Sequence, residues 1–270
     1  MVKKLLKHEF IYYFRTFSIF LPIILVFGIV ARLFRVFDNG STISDIAIFS
    51  SSAMLVVSCI ALGVCTGVLY IVRFYKNIYS AEGYLTLTLP VTNAQHIFVK
   101  LLTAVACEAI CILAIAVSVC IAFWSETFIK FFQNIPMYIN EFITLCGAAN
   151  VIGYAAELIL MLVIALVYEI LLCYACITVG QTAKKNRILA AVGAYFVYYV
   201  ATQIVSTVFT VVVSILGISD SLVAVIEWIG NNIYTVGHIY FCGAIVLYGG
   251  MAAIFWLVTQ RIMTHKLNLE

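Results

Sequence analysis

Apolar runs fill most of the chain, at about 17–36, 46–72, 97–124, 146–180, 188–217 and 238–260, with short polar stretches between them. A helix needs roughly 20 apolar residues to cross a hydrocarbon core of ~30 Å, and each run is long enough. The pattern predicts an all-α polytopic membrane protein with six transmembrane helices, organised as one membrane domain over residues 1–270. The runs at 146–180 and 188–217 are overlong, so they should tilt or project beyond the bilayer. Ahead of the first run, residues 1–16 carry Leu6, Phe10 and Tyr13 at helical spacing in line with Phe17. Lys3, Lys4, Lys7 and Arg15 lie largely elsewhere. This reads as an N-terminal amphipathic interfacial helix on the inner membrane surface. The other reading is an ordinary charged flank of the first span.

Composition agrees with the pattern. The chain is 65% hydrophobic and 10% charged, whereas a soluble domain is about half apolar and about a quarter charged. The length is expected to leave no room for a separate soluble catalytic domain. The net charge of +3 is small, and no basic stripe exists outside the membrane edges, which argues against a nucleic-acid partner. The nine cysteines sit almost entirely in apolar runs, where they act as small hydrophobes. Cys120 and Cys146 are one possible outer pair, which is no disulfide framework. The run 17–36 is too long for a signal-peptide core and lacks a small-residue cleavage site, so it reads as a retained span.

Charge changes the picture by its position. With the N-terminus in the cytoplasm, twelve of the fifteen Lys and Arg fall on inner segments, including Arg73, Lys76, Lys100, Lys184, Lys185 and Arg187. The outer segments keep Arg32, Arg35 and Lys130 against six acids. The positive-inside rule then places both termini in the cytoplasm. Arg32 and Arg35 are read as snorkelling to the outer surface. The outer loops are short. The second, 125–145, holds Pro136 and aromatic residues suited to the interface, and the third, 218–237, carries Ile226, Trp228 and Ile229 as a possible short helix or re-entrant turn.

Candidate chemistry is sparse. There is no G-x-x-x-x-G-K-[ST] phosphate loop, no H-E-x-x-H (position 12 is Tyr12) and no G-x-S-x-G elbow. ATP hydrolysis on this chain is not expected, and the chain is read as no enzyme. His8, His96, His238 and His265 lie near span ends and read as interfacial polar residues rather than metal ligands. Cys173-x-x-Cys176 and Cys107-x-x-x-Cys111 lack the further ligands of a zinc site. Glu108, Glu157 and Glu169 lie inside spans, where an ionised side chain costs roughly 3 kcal/mol. Each needs a partner, a proton or water. Glu108 and Glu169 read equally as a polar pathway or as hydrogen-bonding glue. Glu157 and Glu169 fall about 120° apart on a helix and do not share a stripe. Gly63-x-x-x-Gly67 in the second span suits a close helix contact, within the chain or at a dimer interface. In the fifth span Tyr195, Tyr199, Thr202, Gln203 and Ser206 form a polar face that should look inward, a candidate substrate surface.

The stretch 73–96 is the longest polar, turn-rich run between two spans. Gly83 and Pro90 punctuate it, and Tyr84, Leu85, Thr86, Leu87, Thr88 and Leu89 lie between them. A short apolar core with charged flanks suits a membrane-surface element that docks into a partner's groove. With Tyr75, Tyr79, Ser80 and Glu82, followed by Lys100-Leu101-Leu102, this block resembles a segment of the membrane subunits of type-2 ABC exporters. It is closest in kind to small six-span permeases of Firmicutes-type bacteria with the pattern Y-x-x-x-x-S-x-E-G-Y-L-T-x-T-L-P.

The resemblance implies a permease half in a bacterial cytoplasmic membrane. The 73–96 loop would be the coupling element, carried by Tyr75, Tyr79, Ser80, Glu82, Gly83, Tyr84, Leu85, Thr86, Leu87, Leu89 and Pro90. It would rest in a groove of a separate cytoplasmic ATP-binding subunit, which holds the ATP and magnesium. A second permease, identical or homologous, would complete the exporter. The turn 181–187 would make a minor second contact. Family cargoes include antimicrobial peptides, hydrophobic peptides, drugs and lipid-linked glycans. The substrate pathway is expected at Glu108, Glu169, Tyr195, Tyr199 and Gln203. An ion-coupled secondary transporter using Glu108 and Glu169 is the alternative, although no internal repeat is visible. An intramembrane enzyme is the third reading.

Overall fold

Every apolar run becomes a helix because a backbone in lipid must satisfy its N–H and C=O groups internally. The computed structural model describes residues 2–80, 83, 90–183, 185–216 and 232–265. Among the described residues seven helices occur and no strand: α1 Val2–Val36, α2 Thr42–Tyr79, α3 Asn93–Ala122, α4 Glu126–Cys146, α5 Ala148–Gly180, α6 Arg187–Leu216 and α7 Ile233–His265. All but α4 are long and apolar enough to cross a membrane. The spanning helices outrun the predicted apolar runs at several ends. At 1.5 Å per residue, the 38 residues of α2 reach about 57 Å, well beyond a ~30 Å core.

Three local features differ from expectation. Residues 2–16 are helical and run into the first span without a break, because no glycine or proline precedes Pro22. Tyr13 and Phe17, expected to rest on lipid, are buried in protein. Residues 73–79, expected in the coupling loop, are the last two turns of α2. The stretch 125–145, expected to be an outer loop, is almost wholly the helix α4, with Pro136 inside it. The expected re-entrant segment with Ile226, Trp228 and Ile229 lies outside the described residues; Ile233 to Gly237 already belong to α7.

Turns carry their own signals. Ser41 caps α2, its hydroxyl accepting from the Ser44 N–H at 3.3 Å. Asp38 accepts from the Gly40 N–H at 3.0 Å and from the Ser44 hydroxyl at 2.8 Å. Gly40 takes φ +69°, a left-handed conformation that side chains resist. α3 opens on a capping box: the Thr92 hydroxyl accepts from the Gln95 N–H, and the Gln95 side chain accepts from the Thr92 N–H. Gly147, at φ +81°, separates α4 from α5.

The helices form two compact units, Met1–Tyr138 and Ile139–Asn268. In the first, α1 packs on α3 and α2. A Cβ at Gly28 would lie 2.5 Å from the Ser118 hydroxyl, so the α1–α3 crossing depends on a bare glycine there. Ser118 donates to the Ile24 carbonyl at 2.7 Å. At the far end of α1, Arg35 donates to the Ala122 carbonyl at 2.6 Å and to the Ser52 hydroxyl at 2.8 Å, and covers the Phe123 ring. Arg35, expected to snorkel, thus bridges the last turn of α1 to the end of α3 and to Ser52 in α2. In the second unit, α5 packs on α7 and α6, and Gly180 lets Ala191 of α6 come within 2.6 Å of where a Cβ would stand. All nine cysteines are free.

Candidate functional site

In a helix, residues four apart share a face, and this places Arg73 and Asn77 of α2 side by side. Both reach Glu9 of α1. Arg73 Nε lies 3.1 Å from Glu9 Oε2, and Asn77 Nδ2 donates to Oε1 at 2.5 Å. Lys100 of α3 donates to the same Oε1 at 3.0 Å. The Glu9 and Lys100 side chains are 3% and 4% exposed, and Arg73 is 19% exposed. Taking charges this far out of water costs several kcal/mol per ion, which their mutual attraction and added hydrogen bonds must offset. The Arg73 guanidinium also covers the Tyr12 ring at 3.9 Å, a cation–π contact. Phe74 and Ile78 are fully buried alongside, and Tyr79 packs edge-on to Phe74. The result is a brace that pins the N-terminal part of α1 to both stems flanking residues 80–92.

The coupling residues divide by position. Tyr75 is half-buried on α2, and Tyr79 is buried, 6.5 Å from the Tyr75 ring. Ser80 caps α2, its hydroxyl donating to the Lys76 carbonyl. Gly83 is buried and its N–H donates to the Ser80 carbonyl at 2.7 Å; Pro90 is exposed. Glu82, Tyr84, Leu85, Thr86, Leu87 and Leu89 lie outside the described residues. Beside the brace, His96 is 1% exposed, and neither ring nitrogen has a hydrogen-bond partner among the described residues. It is a buried residue, not the interfacial one that its place near a span end suggested.

The second unit holds another polar contact. His238 of α7 meets Glu157 of α5, its Nδ1 lying 2.8 and 3.0 Å from the two carboxylate oxygens. The Tyr154 ring stacks on His238, with centroids 4.2 Å apart and planes within 8°. The Tyr154 hydroxyl donates to the Tyr234 carbonyl at 2.5 Å. Gly153 and Gly237 make room: a Cβ at Gly153 would meet the His238 ring at 3.1 Å, and one at Gly237 the Tyr154 hydroxyl at 2.7 Å. His238, read from sequence as interfacial, is thus the partner that Glu157 needs.

The expected pathway residues are not assembled into one cluster within either unit. Glu108 belongs to the first unit, half-buried beside Thr66. Glu169, Tyr195, Tyr199 and Gln203 belong to the second and are exposed. The face of α6 that is half-buried carries Ala190, Ala191, Ala194, Tyr198 and Thr202 instead. Tyr198 and Tyr168 share a hydrogen bond of 2.5 Å between their hydroxyls. Gly63 has no atom within 4 Å of a Cβ position, so the Gly63-x-x-x-Gly67 stripe makes no close contact there among the described residues.

Among the described residues, no three His, Cys, Asp or Glu are placed to hold a metal. In the second cluster the Cys242 thiol also lies 3.8 Å from Glu157 Oε1. Both polar clusters can do electrostatic and positional work: one braces the stems of the polar segment, and the other joins two spans. No family model, curated protein or solved structure matches this chain.

Proposed function

We propose that the chain is the membrane subunit of an ATP-driven ABC exporter and moves a hydrophobic or amphipathic cargo outward. A separate cytoplasmic subunit would bind and hydrolyse ATP with its magnesium, and a second permease would complete the assembly. The ATP-binding subunit would grip the segment between the two stems, 80–92. The observation that carries this reading is the Glu9 brace. A segment that transmits force from a partner must hang on stiff stems, and α1, α2 and α3 are cross-linked by buried charge where that segment leaves and rejoins the helices. ATP would act by favouring one of two helix packings. Antimicrobial peptides, drugs and lipid-like molecules are the cargo classes to try first.

Affinity purification of the full chain from native membranes should bring down an ATP-binding subunit identifiable by mass spectrometry. In the reconstituted assembly, Glu82→Ala and Tyr84→Ala should abolish nucleotide-driven export while leaving the complex intact. Export that survives both changes would remove the coupling role. Transport by the purified chain without nucleotide would favour the ion-coupled carrier instead.

A further inference from the structure

The 21 residues of α4 are helical but are not among the helices apolar enough to span. Their polarity is sorted by face. At 100° per residue, Phe128, Phe131, Phe132, Ile135, Ile139 and Phe142 fall within an arc of about 100°. Glu126, Lys130, Gln133, Asn134, Asn140 and Glu141 occupy an opposing arc of about 120°, interrupted by Met137. The apolar face has little protein against it: Phe131 is 55% exposed, Phe132 49%, and Ile139 and Phe142 47% each. Four large apolar side chains exposed along one face are not left facing water without a cover.

The neighbouring helices say what the cover is. α3 ends at Ala122, three residues before α4, and α5 begins at Ala148, just after it. Both are membrane helices. The Arg35–Ala122 bond puts the end of α3 beside the end of α1 remote from Glu9. α4 therefore leaves the bilayer on the surface opposite the brace. Trp124 is 52% exposed at that exit, the kind of residue that sits at headgroup level. The polar face carries Lys130 against Glu126 and Glu141, so attraction to anionic lipid is not what would hold it.

We propose that α4 is an interfacial helix lying in the membrane plane, with its phenylalanine face in the acyl-chain boundary of the leaflet opposite the Glu9 brace. The partner is the lipid surface itself, continuous with the lipid that bathes α3 and α5. This holds whether or not the exporter reading does.

The test uses the full chain in nanodiscs containing phosphatidylglycerol and phosphatidylethanolamine. A photocrosslinking benzophenone amino acid replaces Phe131, Phe142, Gln133 or Glu141 in turn, and intact mass reads the adducts. Several-fold more lipid adduct from Phe131 and Phe142 than from Gln133 and Glu141 is the expected result. Crosslinks between two copies of the chain from the phenylalanine positions would mean that a second copy covers the face, and would overturn the proposal. Equal yields from the two faces, or no lipid adducts, would also overturn it. Phe132 and Ile139 serve as replacement positions on the same face if a variant misfolds.

Discussion

Removing the Glu9 carboxylate is the most direct challenge to the brace. Glu9 accepts from Arg73, Asn77 and Lys100 at 2.5 to 3.1 Å, and the Glu9 and Lys100 side chains are almost inaccessible. Exposed ion pairs are worth about 0–1 kcal/mol, but this one is not exposed. Taking one partner from a buried pair costs about 3–5 kcal/mol, because the remaining charges keep their desolvation penalty. Glu9→Ala should fall in that range. Glu9→Gln keeps an acceptor but loses the charge, so about 1.5–3 kcal/mol is expected from the charged hydrogen bonds it weakens. In a chain of this size, 1 kcal/mol moves a melting midpoint by about 2–4 °C, so Glu9→Ala should lower it by roughly 6–20 °C. The assay is thermal unfolding of the purified chain in one detergent, at low and at high salt. Salt should barely change the difference, since buried pairs are poorly screened. Adding Lys100→Met to Glu9→Gln should recover part of the loss, as replacing a buried pair with apolar groups often does. If Glu9→Ala melts within about 2 °C of the parent, the reasoning fails, because the group would then be behaving as an exposed one.

Three further outcomes follow from the same geometry. His238→Ala should loosen α5 from α7 by about 1–2 kcal/mol, read as a lower midpoint of unfolding, because Glu157 loses the His238 hydrogen bond at 2.8 Å and keeps the longer 3.8 Å contact with the Cys242 thiol; an unchanged midpoint would show the His238 contact to be idle. Gly28→Ala should cost about 1–3 kcal/mol by overpacking, and Ser118→Ala should not rescue it, since the new Cβ would also lie 2.7 Å from the Ser118 carbonyl oxygen; full rescue in the double variant would refute the close crossing. At the α1–α2 turn, the Gly40 N–H and the Ser44 hydroxyl hold the Asp38 carboxyl below its usual range. A depressed folded value means that the turn's added stability is present above the ordinary aspartate pKa of about 3.9 and is lost as pH falls through the lower folded value. Amide exchange at Gly40 should therefore show constant protection, after correction for intrinsic rates, from pH 5 to 8, a window that begins about one pH unit above the ordinary aspartate value, and protection that already changes in that window would contradict the assignment.

Hydropathy made the six spans legible because lipid imposes one rule on every spanning segment, and a run of apolar residues is its direct image. What it hid is which faces meet. Arg73 and Lys100 entered the charge count as headgroup-facing cations, and the count cannot tell a lysine in water from one bonded to a buried acid. Glu9 stands among Lys3, Lys4, Lys7 and Arg15, where a lone acid looks like dilution of a basic flank. Only the crossing of α1, α2 and α3 makes it the acceptor for residues 64, 68 and 91 positions away. The same blindness turned 73–79 into loop: polarity in a membrane chain reads as loop unless a buried partner allows it to remain helix. Glu157 needed His238 in the same way, 81 positions on. α4 is the opposite case. Its helical period was present in the sequence, but Pro136 and its place between spans made it read as a loop. A periodic pattern tells which side chains share a face, and a second helix is required to say what that face touches; where the neighbour is lipid, as proposed for α4, the pattern alone is sufficient, and where it is protein, as at Glu9, it is not.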